Sequence, residues 1–357
     1  MEKLRWGIIG CGVIAPWHGD SVVASAYADL VAVCDVDVEK GQAFAERYGG
    51  VAFYEDYTEM LREGGLDVVS ICTPSGLHSE MTIAAAQAGV NVLCEKPMAI
   101  TVPQMDAMMQ AVKEAGTKLE VIFQRRTYPT TQMVREAVQS GVLGQLTLAD
   151  AYLKYYRSPA YYSSADWRAT WALDGGGALM NQGVHGVDVL VWIMGEVESV
   201  YAKAEAKVRE IEVEDTAVAL VTFKNGAYGV IEGTTSSNPG EPTTFAFHGE
   251  KGTIILDDKG IQKWAVAEDK SVVAENDPEK CVSRSTLSAT TDPTSIGRAG
   301  HQAQVDDLCM AIAEDREPMI TAASARKAVE LILAIYASAA AGREIRIEQW
   351  LEEVRSG

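Results

Sequence analysis

The sequence predicts an α/β protein of two domains, a doubly wound parallel sheet followed by an α+β domain with a largely antiparallel sheet. Three observations predict it. In the first third, short β-branched runs alternate with amphipathic segments, the pattern of buried parallel strands joined by crossover helices. Beyond residue 124, period-two alternation and hairpin signals replace that rhythm. A length of 357 residues suits two domains, and a hydrophobic share of 47% is enough for sizeable cores.

The elements follow in order. Leu4–Ile9 reads as a strand, with a helix from near Val13 to about Tyr27. Leu30–Cys34 is the next strand, then a charged helix over Val38–Tyr48. Asp67–Cys72 and Asn91–Cys94 are apolar strands, Ser79–Ala88 and Val102–Ala115 helices, and Lys118–Phe123 closes the series. In the second part, a helix over Pro129–Ser140 stops at Gly141 and Leu146–Tyr156 alternates like a half-buried strand. The run Gly175–Gly177 leads into a helix over Val184–Met194. Several strands fit between Val197 and Leu256, with a hairpin at Lys224-Asn225-Gly226, since Asn-Gly tolerates positive φ. Residues 268–300 read as a polar surface excursion, and Gly300–Glu314 and Ala322–Ala341 as closing helices. The expected domains are 1–123 and 124–357, with the helix 322–341 near their interface.

A net charge of −19 repels phosphate backbones, which excludes nucleic acid as an expected partner. It also disfavours a highly anionic substrate unless the site carries its own Arg or Lys. Six cysteines, at 11, 34, 72, 94, 281 and 309, form no CxxC pair, and no His/Cys spacing matches a zinc site, so no metal is expected. Reduced thiols are the simplest reading. The chain runs straight into an apolar strand without a signal-peptide pattern, and no apolar run is long enough to span a bilayer. A cytoplasmic protein with no membrane partner is expected.

Gly10-Cys11-Gly12-Val13-Ile14-Ala15 has the form G-x-G-x-x-A, directly after a strand and at the opening of a helix. The first glycine permits a tight turn, the second lets a pyrophosphate approach, and the small third residue lets helix and strand pack closely. The helix N-terminus offers N–H groups and partial positive charge to the phosphates. Asp35 ends the second strand, where the fingerprint wants an acid for the ribose hydroxyls. Such a carboxylate repels a 2′-phosphate and so favours NAD over NADP.

Glu95-Lys96-Pro97 follows Asn91–Cys94 directly, and ligands of open parallel sheets sit at the carboxyl ends of the strands. An ammonium there can hold a substrate hydroxyl and help its proton leave. In the segment Gly175–Asp188, a helix starting near Asn181 puts Asn181 and His185 four apart on one face, with Asp188 three further on as a group that orients His185 or faces the core. Histidine titrates near neutrality and suits proton transfer. Among Tyr152, Tyr155, Tyr156, Tyr161 and Tyr162, Tyr155 is kept as a substrate contact and the others read mostly as core. Arg125 and Arg126 could hold an anion, one of them being as plausibly structural.

These motifs together resemble the glucose–fructose oxidoreductase / inositol dehydrogenase / MocA group of dehydrogenases. The likeness rests on Gly10–Ala15, Cys72-Thr73-Pro74 with His78, Glu95-Lys96-Pro97, Phe123–Arg126, Trp167-Arg168, Gly175–Asp188 and Ile335–Ala339. It implies a Rossmann domain, and a second domain whose large open antiparallel sheet forms homodimers or homotetramers. It implies Lys96 and His185 as the catalytic pair, Thr73, Pro74, His78 and Glu95 lining the cofactor site, and Arg168 near cofactor or substrate. Asn181 stands where many members carry Asp. An amide cannot take a full proton at neutral pH, so acid/base work shifts to His185 or Lys96. The expected activity is NAD(P)-dependent hydride transfer on a sugar, cyclitol or related polyol. Two alternatives are an enzyme that keeps NAD bound and oxidises a sugar transiently for elimination or glycosidic cleavage, and a non-catalytic NAD/sugar sensor.

Overall fold

The computed structural model describes residues 2–267 and 299–356. The expected polar excursion at 268–300 lies almost wholly outside them, as does Cys281. The chain forms two compact units: Met1–Gln124 with Arg298–Arg326, and Arg125–Gly297 with Lys327–Gly357.

The first unit runs β1 (Leu4–Ile9), α1 (Ala15–Ala24), β2 (Ala28–Cys34), α2 (Val38–Arg47), β3 (Ala52–Tyr54), α3 (Tyr57–Glu63), β4 (Val68–Ile71), α4 (His78–Gln87), β5 (Asn91–Cys94), α5 (Val102–Ala115) and β6 (Leu119–Val121). Its six strands are all parallel, in the order β3-β2-β1-β4-β5-β6. The order reverses between β1 and β4, which opens the crevice where ligands of such sheets bind. Sequence reading passed over β3 and α3, a three-residue edge strand and a seven-residue helix capped by Asp56, both too short for a clear period. The α1 helix stops at Ala24 because Ser25 turns extended, so β2 starts two residues before the expected Leu30. The core is built on Trp6, Ile8, Val33, Val68 and Leu93. A helix over Ala299–Ala313 adds Val305, Leu308 and Cys309 to it. That packing explains why residues far along the chain join the first unit, a difference from the expected boundary.

In the second unit come α6 (Pro129–Gln139), β7 (Leu146–Lys154), α7 (Pro159–Tyr162), a π-helical turn over Ala178–Gly183, and α8 (Val184–Met194). Strands β8 (Val197–Glu205), β9 (Thr216–Phe223), β10 (Tyr228–Thr234), β11 (Thr244–Gly249), β12 (Gly252–Asp257) and β13 (Gly260–Val266) follow. The helix returning to the first unit is α9, and α10 (Ala322–Ala341), β14 (Ile345–Arg346) and α11 (Ile347–Ser356) end the chain. The sheet order is β13-β12-β11-β7-β10-β9-β8-β14, antiparallel throughout except where β10 runs parallel to β7. Asn225 makes the expected β9–β10 hairpin: its side chain accepts the Ala227 N–H while Gly226 takes φ +87°.

One face of this sheet is buried through Ala149, Ala151, Ala219 and Val221. Gly186 lets α8 approach, since a Cβ there would come within 2.2 Å of Leu153. The register puts Leu148, Tyr201, Val218, Leu220 and Tyr228 together on the opposite face, all exposed.

Candidate active site

Each unit carries its own group of chemistry-bearing residues. In the first, they gather at the carboxyl ends of the strands. Gly10 sits at φ +89°, and a Cβ on it would stand 2.9 Å from the backbone of Cys72, so only glycine fits the turn after β1 where it passes the end of β4. At Gly12 a Cβ would meet no atom within 4 Å, which leaves open space beside the backbone. The Cys11 N–H donates to Asp35 Oδ2 at 2.7 Å, and Asp37 N–H to Asp35 Oδ1 at 2.9 Å. Asp35 therefore ties the glycine loop to β2, and each oxygen keeps a lone pair for a further donor. Helix α1 begins after Ile14 with no side-chain cap on its first N–H groups. Open space at Gly12, an uncapped helix start and an acid with spare acceptor capacity fit a dinucleotide. Val13 lies exposed two residues after Cys11 and Val36 one residue after Asp35.

Thr73 and Pro74 form the turn after β4. The imidazole of His78 is buried, with Nδ1 2.8 Å from the Pro97 carbonyl and Nε2 3.0 Å from the Thr73 carbonyl. His78 thus links the two loops that the expected cofactor site is built from. Burial pulls its pKa down despite those two contacts.

Glu95 is tied inward as well. It is buried, with Oε1 2.9 Å from His18 Nε2 and 3.5 Å from His301 Nε2, while Oε2 accepts the Lys96 N–H at 3.1 Å. Burial works to raise the Glu95 carboxyl, but the hydrogen bond from His18 and the nearby His301 ring outweigh it and hold it well below the usual range. Lys96, half-buried, precedes Pro97 through a cis peptide. Burial pushes the thiols of Cys11, Cys34 and Cys309 up to about 12, which rules them out as nucleophiles at neutral pH.

In the second unit the centre is the π-helical turn. Gly177 has no room for a side chain, because a Cβ would fall 2.0 Å from the Glu214 carbonyl oxygen. The Glu214 carboxylate accepts the N–H groups of Gly177 (2.9 Å) and Leu179 (2.8 Å) and the Tyr336 hydroxyl (2.8 Å). A carboxylate thus caps the positive end of the helix from inside the protein. Widened π turns of this kind cluster at functional sites. The widening also overturns the expected geometry, since Asn181 lies in the π turn and His185 in the first turn of α8, so they are not four apart on one α-helix.

Asn181 donates through Nδ2 to Oδ1 of buried Asp174, whose Oδ2 accepts the Ala169 N–H at 2.8 Å. Asn181 Oδ1 accepts from Gln182 Nε2 at 2.6 Å, and Gln182 also reaches the Tyr161 hydroxyl at 2.8 Å. Arg157 donates twice to Gln182 Oε1, at 3.0 and 2.7 Å. Arg168 donates to the Tyr161 hydroxyl at 2.8 Å and stacks on that ring at 4.4 Å. Sequence reading set Asn181 beside the Asp that many members carry there and passed over the carboxylate at 174. An Asp at 181 would set two carboxylates against each other, so Asn is the residue this neighbourhood requires.

His185 is half-buried. Asp188 does not orient it. Its carboxylate is fully buried and bound by Arg126, Nε to Oδ2 at 2.8 Å and Nη2 to Oδ1 at 2.5 Å, because a buried acid takes the bidentate cation. That pairing also removes Arg126 as a free anion site, and Arg125 is paired with Asp258 at 3.0 Å. Tyr155 is a further correction. It is buried, with its hydroxyl 3.3 Å from Thr243 Oγ1, so it belongs to the core and offers no open face to a sugar.

The comparisons with known proteins agree with this architecture. The oxidoreductase family with an NAD-binding Rossmann fold matches residues 4–123, and the GFO/IDH/MocA C-terminal domain matches residues 131–255. D-glucoside 3-dehydrogenase of Escherichia coli is 33% identical over 280 residues, 71% of this chain and 77% of that protein. Myo-inositol 2-dehydrogenase of Thermotoga maritima is 31% identical over 260 residues, 71% and 75% of the two chains. Among solved structures, the WlbA dehydrogenase of Bordetella pertussis, in complex with NADH and UDP-GlcNAcA, is 34% identical. It superposes with a TM-score of 0.85 over 97% of this chain and 99% of that one. A glycine loop tied to its acid, a lysine turn after β5 and a matching second sheet therefore have a common origin: the chain belongs to the Gfo/Idh/MocA family of oxidoreductases.

Proposed function

We propose that this protein is an NAD-dependent dehydrogenase or reductase that acts on a secondary alcohol or ketone of a sugar, cyclitol or related polyol. The observation that carries the proposal is the family match across both units, to relatives that are sugar and inositol dehydrogenases. The dinucleotide is held by Gly10, Gly12, Val13 and Ile14 at its pyrophosphate, with the start of α1 beneath. Asp35 takes the ribose hydroxyls and favours NAD over NADP, and Thr73 and Pro74 line the same crevice. When bound, the nicotinamide supplies the place for a hydride.

The chain's own groups handle the proton. Lys96 holds the reacting hydroxyl by its ammonium, and the imidazole of His185 takes the hydroxyl proton as the carbinol becomes a carbonyl, returning it in reduction. Asn181 orients the substrate. Its amide is held in place by the bond it donates to Asp174.

A specific observation favours a sugar that carries negative charge. Arg157, Arg168 and Arg209 gather on the faces of Tyr161 and Tyr156 in a protein of net charge −19. Among the described residues neither Arg168 nor Arg209 has a carboxylate partner. Sugar acids and nucleotide-linked sugars therefore belong in the substrate panel.

The exposed apolar face of the second sheet suits a self-complementary subunit contact, and a homodimer or homotetramer is proposed from it. Light scattering of the purified protein tests this, a monomer being the contrary result. No described helix is long and apolar enough to cross a membrane.

The central experiment follows reduced nicotinamide with NAD⁺ or NADP⁺ against neutral, acidic and nucleotide-linked sugars. Lys96→Ala and His185→Ala should each lower turnover by about 10² to 10⁴-fold while NADH binding survives. Full activity in either variant would remove the role proposed for that residue.

A further inference from the structure

A fully buried cluster in the first unit joins α1, β5 and α9. Trp6 Nε1 lies 2.9 Å from Ser70 Oγ, and Ser70 Oγ lies 2.9 Å from His18 Nδ1. An indole N–H can only donate, so Ser70 Oγ accepts it and turns its own proton toward Nδ1. The neutral His18 ring then carries its proton on Nε2 and donates it to Glu95 Oε1 at 2.9 Å. Burial favours that neutral ring. His301 approaches the same oxygen from α9 at 3.5 Å, and the two rings meet edge to face at 5.4 Å between centroids. The other Glu95 oxygen accepts the Lys96 N–H. Placing an ionised carboxylate at 5% exposure is costly unless its hydrogen bonds are needed.

We infer that His18, with the His301 ring packed beside it, is a positioning residue for Lys96: it holds Glu95 from inside the unit, and Glu95 fixes the backbone from which the Lys96 ammonium projects. The inference rests on the reading of Lys96 as the group that meets substrate. His18, Glu95 and His301 could in principle clasp a metal ion, their ligand atoms all lying within 4.8 Å of one another. The 2.9 Å contact between His18 and Glu95 is instead the length of a direct hydrogen bond.

The test is a double-mutant cycle on the full-length protein. Glu95→Gln keeps shape and removes the charge that draws the histidines. His18→Phe fills the space and removes the donor, and His18→Gln restores an amide N–H near the position of Nε2. Glu95→Gln and His18→Phe should each lower kcat by about 10 to 100-fold, as expected when a catalytic group is displaced by a fraction of an ångström. The dissociation constant of NADH should stay within about twofold, because both side chains are buried inside the unit. His18→Gln should recover most of the rate, and Glu95→Gln with His18→Phe should be no slower than Glu95→Gln alone. If His18→Phe folds poorly, Glu95→Gln and the double variant still decide the matter, since both leave the buried pair uncharged.

Unchanged kcat in Glu95→Gln, or losses that multiply in the double variant, would overturn the inference. So would a stoichiometric metal in the purified protein that His18→Phe loses. Lys96→Ala measured alongside separates the two levels. Full activity there removes the underlying reading, whereas an inactive Lys96→Ala beside a wild-type Glu95→Gln removes the positioning role alone.

Discussion

The two glycine-rich segments of this protein are built for opposite reasons. At Gly12 the space beyond the Cα is open, and at Gly177 it is already filled by the Glu214 backbone. In the first unit the missing side chain leaves room for a ligand to come to the backbone. In the second it lets two parts of the protein close on each other and hold a π turn in place. Identical residue types therefore carry a binding role in one region and a packing role in the other. The difference is visible only in what surrounds each Cα.

The sharpest way to break this contrast is Gly177→Ala. A Cβ 2.0 Å from a backbone oxygen forces the π turn away from Glu214, and a cost of about 3 kcal/mol in unfolding free energy is expected from overpacking and lost caps. Urea denaturation measures it, and a wild-type midpoint would end the packing explanation.

Gly12→Ala should do the reverse. Its unfolding should stay within about 0.5 kcal/mol of the parent, while NADH, followed by its fluorescence, should bind about 100-fold more weakly, a loss of about 2.7 kcal/mol. A stability loss with unchanged affinity would reverse the assignment of the two glycines.

The smallest effect belongs to Asn181→Asp. Two carboxylates in contact hold one proton between them, which raises one of the folded-state pKa values. The folded variant then binds more protons than its unfolded chain, so its stability falls as pH rises above about 4 and is lowest near neutrality, by about 2 kcal/mol. Parallel stability–pH curves for variant and parent would show that Asp174 and residue 181 are not coupled.

What could be read from the sequence follows the range of the contacts. The Gly10–Asp35 signature was legible because its parts lie on consecutive strand–loop–helix elements and each has a defined chemical task. The place of Lys96, directly after β5, was legible too. The supports were not. Glu214 and Tyr336 reach the π turn from the loop before β9 and from α10, and His301 approaches Glu95 from a helix near the other end of the chain. No local period encodes such meetings. His18 did carry a faint signal, a polar residue on the inner face of α1 that had to find a partner once buried. The π turn left none, since its hydrogen-bond slip depends on the carboxylate that caps it. Of the two readings of Asp188 the core-facing one holds, because helix spacing says where a side chain can point and Arg126 decided where it went, while Thr243 holds Tyr155 in the core.

The bond between Asn181 and Asp174 also bears on how sequences of this family are compared. Positions 174 and 181 here share a single negative charge, so they behave as one character spread over two alignment columns. A column read alone scores Asn181 as an acid lost. Read as a pair, the two positions keep one carboxylate in contact with the turn. Relatives that restore Asp at the second position should give up the carboxylate at the first, and the pair should be inherited together.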